Sequence, residues 1–171
     1  VADNSFEPFV RANSAGLVRT AFLLTGSQPA AEDLAQDTLT HLYPQWNRVM
    51  AADAPLAYVR RSLTNRYISD RRRRSSHDEP MWDVPDGWDG RDLDARITER
   101  SATWQLLGTL PARQRAAVVL RFYHDLPDGE IASIIGARPA TVRTLLSRAL
   151  AALRANSERH PGTAVRTETT P

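Results

Sequence analysis

The stretch DGEIASIIGARPATVRTLLSRAL, Asp128 to Leu150, decides how this chain is to be read. Apolar residues recur at helical intervals on both sides of Gly136, which turns Ile131, Ile135, Ala137, Val142 and Leu145 toward one interior. Ala132 is small where a second helix has to cross closely. Gly136 has no Cβ to resist the positive φ that a tight turn demands. Two short helices meeting in this way are the pattern of a helix-turn-helix. The second helix buries Val142, Leu145, Leu146, Ala149 and Leu153 and leaves Thr141, Arg143, Thr144, Ser147 and Arg148 outward, where they can reach phosphates and base edges in a major groove. A plain helical hairpin with a solvated arginine face has the same pattern, so the remainder of the chain must choose between the two.

Just upstream, a helix is expected from Ile97 to Leu110 with Trp104, Leu106 and Leu107 on its apolar side. Pro111 then opens another helix through Tyr123, carrying Val118, Val119, Leu120 and Phe122. With the two helices above, these make a four-helix lobe. Beyond Arg154 the segment NSERHPGTAVRTETTP has no apolar face and is expected to be disordered.

At the other end, Phe6, Phe9, Val10, Leu17, Phe22 and Leu24 mark a helix that stops at Thr25-Gly26. Ser27 is placed to cap the next helix, with Pro29 in its first turn, and this helix is expected to run to about Trp46. Its apolar stripe is Ala31, Leu34, Ala35, Thr38, Leu39, Leu42 and Trp46. Asp33, Asp37 and His41 share the outer face at four-residue spacing, but carboxylates early in a helix ordinarily complement its dipole, and no metal site is expected. After a loop from Asn47 to Ala54, Asp53 and Pro55 open a third helix that buries Leu56, Val59, Leu63 and Tyr67. Trp46, Tyr58 and Tyr67 are expected in the core. The third helix turns Arg60, Arg61, Asn65 and Ser69 the other way and ends in Arg71 to Arg74, a footprint suited to phosphates.

Between the lobes lies SSHDEPMWDVPDGWDGRDLD, rich in Pro, Gly and Asp and without a period, which reads as a linker. Charge follows the same partition. Residues 1–74 hold ten arginines against seven carboxylates, residues 75–99 two against eight, and residues 100–171 ten against five. Two basic lobes therefore flank an acidic strip that is itself dotted with aromatics, a combination able to imitate nucleic acid.

The 171 residues are 42% hydrophobic and 25% charged, an ordinary globular balance. All 22 basic residues are arginine, and there is no cysteine, which excludes disulfides and thiolate metal sites. No apolar run approaches the roughly 20 residues that span a bilayer, and VADNSFEPF carries no signal pattern, so a cytoplasmic location without membrane insertion is expected. No phosphate-cradling glycine loop, metal cluster or nucleophile with its base is visible. The chain is expected to be neither an enzyme nor a cofactor carrier.

Six segments taken in order carry a resemblance: RTAFLLTG (19–26), AEDLAQDTL (31–39), the Trp46 loop, AYVRRSLTN (57–65) with its arginine end, LPARQRAAVVLRFYHDL (110–126) and EIASIIGARPATVRTLLSRAL (130–150). Together they cover most of residues 5–155, and in that series the chain resembles the extracytoplasmic function class of bacterial RNA polymerase sigma factors, most closely its actinobacterial branch. The resemblance implies an all-α fold of two helical domains. The first, residues 1–74, would bind the clamp helices of the largest subunit of core RNA polymerase through Asp33, Gln36 and Asp37. It would also recognise and melt the minus-ten element through Arg60, Arg61, Asn65, Ser69 and Arg71, holding a base flipped out of the duplex with help from the loop 47–54. Residues 75–96 would be the acidic linker, threading toward the active-site and RNA-exit channels. Residues 97–155 would set Arg138, Thr141, Arg143, Thr144, Ser147 and Arg148 against the minus-thirty-five element, and 156–171 would be a disordered tail. Promoter DNA and core polymerase are the implied partners, with an anti-sigma factor as a further candidate.

The chain departs from the family pattern at two places. Leu39 stands where an aromatic is usual, a change within the core. Arg138 replaces a serine that commonly caps the recognition helix; Pro139 compensates in part by fixing φ in the first turn, and Arg138 adds a potential phosphate contact. The competing reading is a stand-alone helix-turn-helix regulator binding duplex DNA, commonly as a dimer on a symmetric site, which needs no second basic face at 60–74.

Overall fold

The computed structural model describes residues 5–75 and 106–159, which are helical with no strand. The expected linker, most of the helix expected at 97–110 and the end of the tail lie outside the described residues. Helix α1 (Phe6–Thr25) buries Leu17, Thr20, Ala21, Leu23 and Leu24. It stops at Gly26, whose φ of 77° lets its N–H return 2.8 Å to the Phe22 carbonyl.

Helix α2 (Gln28–Leu42) lies against α1 and buries Ala31, Leu34, Ala35, Thr38 and Leu42. Thr38 is tolerated there because its hydroxyl donates to the Leu34 carbonyl at 2.7 Å. Ser27 holds the capping position in extended conformation, but its side chain makes no capping bond. Instead the Thr25 hydroxyl donates to the Ser27 carbonyl at 3.2 Å.

The helix expected to reach Trp46 ends earlier. A 3-10 turn, Tyr43–Gln45, interrupts it, and a separate short helix α3 (Trp46–Met50) follows. Pro44 has no N–H with which to continue the α ladder, so the chain tightens and changes direction. The expected loop 47–54 shrinks to the four residues after Met50. This bend drives Trp46 and Val49 into the core. The Trp46 indole N–H donates to Ser5 Oγ at 3.0 Å, and its ring meets Phe6 and Phe9 edge-on at 4.9 and 5.0 Å. Helix α4 (Pro55–Ser75) closes the first lobe with Val59, Leu63, Thr64 and Tyr67 buried and Leu56 packed partly against them.

In the second lobe α5 (Ala112–Val118) continues into a π-helical turn, Val119–Tyr123. The His124 N–H reaches back five residues to the Val119 carbonyl at 3.3 Å. The wider turn advances the register, so Val119 and Leu120 remain buried while Phe122, expected among the apolar set, is 64% exposed. Helices α6 (Asp128–Ile135) and α7 (Pro139–Arg159) form the helix-turn-helix, joined at Gly136 with φ 63°. Ile131, Ala132, Ile135, Val142, Leu146 and Ala149 are buried between them, and Leu145 and Leu153 pack partly against this core. Helix α7 outruns expectation: Asn156, assigned to the disordered tail, donates to Thr109 Oγ1 at 2.9 Å from within the helix.

The two lobes do not stand apart. Helix α4 packs on α5 and α6, α1 packs on α5 and the π-turn, and one hydrophobic core runs through both.

Candidate nucleic-acid interface

Two arginine-bearing surfaces emerge, one on each lobe. On α7 the apolar period turns Val142, Leu146 and Ala149 inward, which leaves Thr141, Arg143, Thr144, Ser147 and Arg148 exposed along one side, with Arg138 exposed just ahead of the helix. The Val142 N–H bonds to the Arg138 carbonyl at 3.1 Å, so the helix starts cleanly without a capping serine. Thr144 directs its hydroxyl to the Ala140 carbonyl at 3.1 Å. Arg143 is tethered more than its spacing implied, lying 3.7 Å from Asp128 in the first turn of α6, while Arg121 also pairs with Asp128. Arg113 bonds the Ile135 carbonyl at 3.0 Å and so ties α5 to the turn between the two helices. The first helix and the turn are thus held by charged contacts, and Arg148 stands on the outer side of a rigid support.

The second surface is an open groove of about 690 Å³ between α2, the Pro44 bend and α4. Of the five residues expected from α4, Arg61, Asn65 and Ser69 line it. Arg48, Arg66, Arg73 and Tyr58 join them. Tyr58, Ser62, Asn65, Ser69 and Arg73 form one stripe at helical spacing, a signal present in the sequence that periodicity alone could have extended in both directions from Asn65. Tyr58, expected in the core, is only partly buried and puts its ring at this surface. Arg66 pairs with Asp37 of α2 at 3.3 Å, and its Nε is buried with no hydrogen-bond partner.

Arg60 and Arg71 do not line the groove. Their charges are felt on the side of α4 that faces the second lobe, by His124 and Arg115 respectively. Asp33 and Gln36 are exposed on the outer side of α2, as is Asp37 apart from its ion pair. Among the described residues no group of three or more His, Asp or Glu side chains is arranged to hold a metal.

The contact between the lobes contains polar groups that spacing did not reveal. Arg115 is 2% exposed, with Nε 2.7 Å from the Leu23 carbonyl and one terminal nitrogen lacking a partner. Burial pulls its pKa below the ordinary guanidinium value, and the like charge of Arg71 adds to this. The His124 ring lies 3.1 Å from Thr20 Oγ1. Since the Thr20 hydroxyl donates to the Gly16 carbonyl at 2.9 Å, Nε2 of the histidine is the donor in that pair. Burial and then the Arg60 charge lower the His124 pKa from 6.5 to about 4. Arg61 completes the set, donating to Ser133 on α6 at 3.2 Å.

Comparison with known proteins agrees with both halves. Residues 9–77 match the family described as Sigma-70 region 2, and residues 100–153 match Sigma-70, region 4. The chain is 31% identical to an RNA polymerase sigma-E factor of Streptomyces avermitilis over 90% of its own length and 85% of that protein's. It is also 31% identical to the factor of the same description from Streptomyces coelicolor, covering 87% of this chain and 84% of that one. Among solved structures it is similar to the sigma factor RpoE crystallised with the anti-sigma factor NepR from Bartonella quintana. The TM-score is 0.65 at 22% identity, with 92% of this chain and 99% of that one covered, a likeness of fold.

Proposed function

The chain belongs to the sigma-70 family of RNA polymerase sigma factors, in the extracytoplasmic function class, and from that premise we propose how its surfaces divide the work. As a sigma factor it combines with core RNA polymerase and directs transcription to particular promoters. The observation that carries the division is the presence in one chain of an arginine-lined groove on α4 and a separate exposed recognition helix, α7.

Helix α7 enters the major groove of the minus-thirty-five element. Arg148, Arg143, Thr144 and Ser147 meet base edges there, and Thr141 and Arg138 hold the neighbouring backbone. The groove between α2 and α4 takes the minus-ten strand. Opening DNA exposes a base that has lost its stacking partners, and a site offering Asn65 for its edge, Tyr58 for its face and Arg48, Arg61 and Arg66 for its phosphates makes the open form less costly. Ser69 extends this contact along α4, while Arg60 and Arg71, on the side of α4 that faces the second lobe, hold the DNA backbone beyond the groove. The exposed residues Asp33 and Gln36, with Asp37, form the docking face for the polymerase clamp.

In this scheme residues 1–74 and 97–155 are the two working domains, and residues 75–96 set the span between them. The protein performs no bond chemistry itself, because the polymerase supplies it, and it acts in the cytoplasm. No helix among the described residues is long and apolar enough to cross a membrane. An anti-sigma protein that covers these surfaces is a natural further partner.

Footprinting of the complex with core polymerase tests the assignment. Two protected patches are expected, the upstream one lost in Arg148→Ala and both lost when Asp33 and Gln36 are changed together. Protection of one symmetric site by the chain alone would instead make it a stand-alone regulator.

A further inference from the structure

We propose that Asp128, in the first turn of α6, is a positioning residue for base readout: it holds Arg143 of the recognition helix in one orientation and so sets the preference at the base pair Arg143 meets. The proposal rests on reading α7 as the helix that enters the minus-thirty-five element, and it names a determinant of specificity that lies outside that helix.

An arginine that reads a base must present its planar fork at a fixed angle, because the two hydrogen bonds to a guanine edge form together. A side chain of this length also has phosphates within reach, and contacts to phosphates carry no sequence information. Arg143 is 67% exposed, so packing does little to choose between these ends.

The restraint comes from the neighbouring helix. Nη1 of Arg143 lies 3.7 Å from Oδ2 of Asp128, and the other carboxylate oxygen, Oδ1, is taken by Arg121 of the π-turn. The Asp128 side chain is 23% exposed and stands at the start of an eight-residue helix, where the dipole favours a negative charge. Arg143 therefore leans on a carboxylate that belongs to a rigid element. Two guanidinium groups on one carboxylate leave an excess of positive charge, so Asp128 orients Arg143 without cancelling its attraction for DNA. An exposed pair of this kind adds little to folding stability. Its effect falls on selectivity, which is a difference between binding to one sequence and to another.

The test uses the full chain in complex with core polymerase, bound at several salt concentrations to a promoter library randomised over the upstream element, with the bound DNA sequenced. Arg143→Ala identifies the base pair whose preference depends on that side chain. Asp128→Asn, and Asp128→Ser as a second residue suited to a helix start, should each lower the preference at that base pair at least about fivefold and leave the positions read by Arg148 unchanged. Overall affinity should not fall, and the salt dependence of binding should steepen by about one as the released Arg143 turns to a phosphate. Circular dichroism should show retained helix in both variants.

Arg121→Gln separates positioning from a merely structural tie. It cuts the link between the π-turn and α6 but leaves Asp128 beside Arg143, so the base preference should persist while affinity falls, because the carboxylate now opposes Arg143 alone. An unchanged preference in the Asp128 variants, an equal loss at every position, or the same loss in Arg121→Gln would overturn the positioning role. If Arg143→Ala itself alters no position, the reading of α7 fails and takes the proposal with it, a result distinct from the other three.

Discussion

Nε of Arg115 donates to the carbonyl of Leu23 at 2.7 Å, across 92 residues of sequence, and this bond joins the two lobes at a place where each presents a polar group to the other's interior. Helix α1 ends there in a left-handed glycine, and the guanidinium lies 3.2 Å from where a Cβ on that glycine would stand.

Gly26→Ala is therefore expected to cost about 1–3 kcal/mol, from the positive φ forced on alanine together with the crowding of Arg115. Arg115→Ala removes the crowding but not the strained φ. In a double-mutant cycle by urea unfolding the two costs should fall short of additivity, with a coupling of about 0.5 kcal/mol or more. Strict additivity would mean that the two residues do not sense each other.

The histidine contact sets a pH dependence. His124 has a folded pKa of about 4, below its ordinary 6.5, so between these values the unfolded chain binds the extra proton. Stability is fully present above pH 6.5 and falls as the pH drops toward 4. Urea midpoints measured across that window should decline less steeply in His124→Gln than in the parent. Parallel slopes would show that the ring is not held neutral by its surroundings.

Most of this architecture is legible in the sequence. Helical periods and the stops at Gly26 and Gly136 place α1, α2, α4 and the helix-turn-helix, and the outward side of α7 falls where its spacing puts it. What was not legible arises where a tertiary demand overrides a local pattern. Arg115 looks like one more solvated cation until α1 is brought against it. The π-turn shifts Phe122 off the apolar side by adding a residue to one turn, which no hydrophobic count registers. Pro44 carries the information for the bend before α3, yet the apolar stripe running through it to Trp46 reads as a single helix. The groove needs α2 and α4 together, so Arg48 and Arg66 become visible as its lining only when the two helices are assembled.

On the recognition helix the two central arginines should differ. Arg148→Ala is expected to weaken promoter binding of the polymerase complex by about 1–3 kcal/mol with core association unchanged. Arg143→Ala should cost less, since Arg143 also lies beside Asp128, and removing it leaves that carboxylate still paired with Arg121. Filter binding on one promoter at fixed salt checks the order, and equal losses would place Arg143 free in the groove.

Within the groove, Tyr58→Ala should cost about 1–3 kcal/mol if its ring stacks on an opened base. The loss should appear in permanganate reactivity of the melted strand, with closed-complex affinity nearly unaltered. Arg66→Ala should follow the same pattern if its guanidinium, which lines the groove, meets a phosphate of the opened strand. A loss confined to closed binding would move both residues out of the melting step.

Run-off transcription with purified core polymerase from a related bacterium, in the presence and absence of this chain, measures the central claim most directly. Transcripts that start at defined positions only when the chain is added, and that disappear with Asn65→Ala or Arg148→Ala, are the predicted result. Unchanged initiation in its presence, combined with tight binding of the isolated chain to an intact duplex, would contradict it.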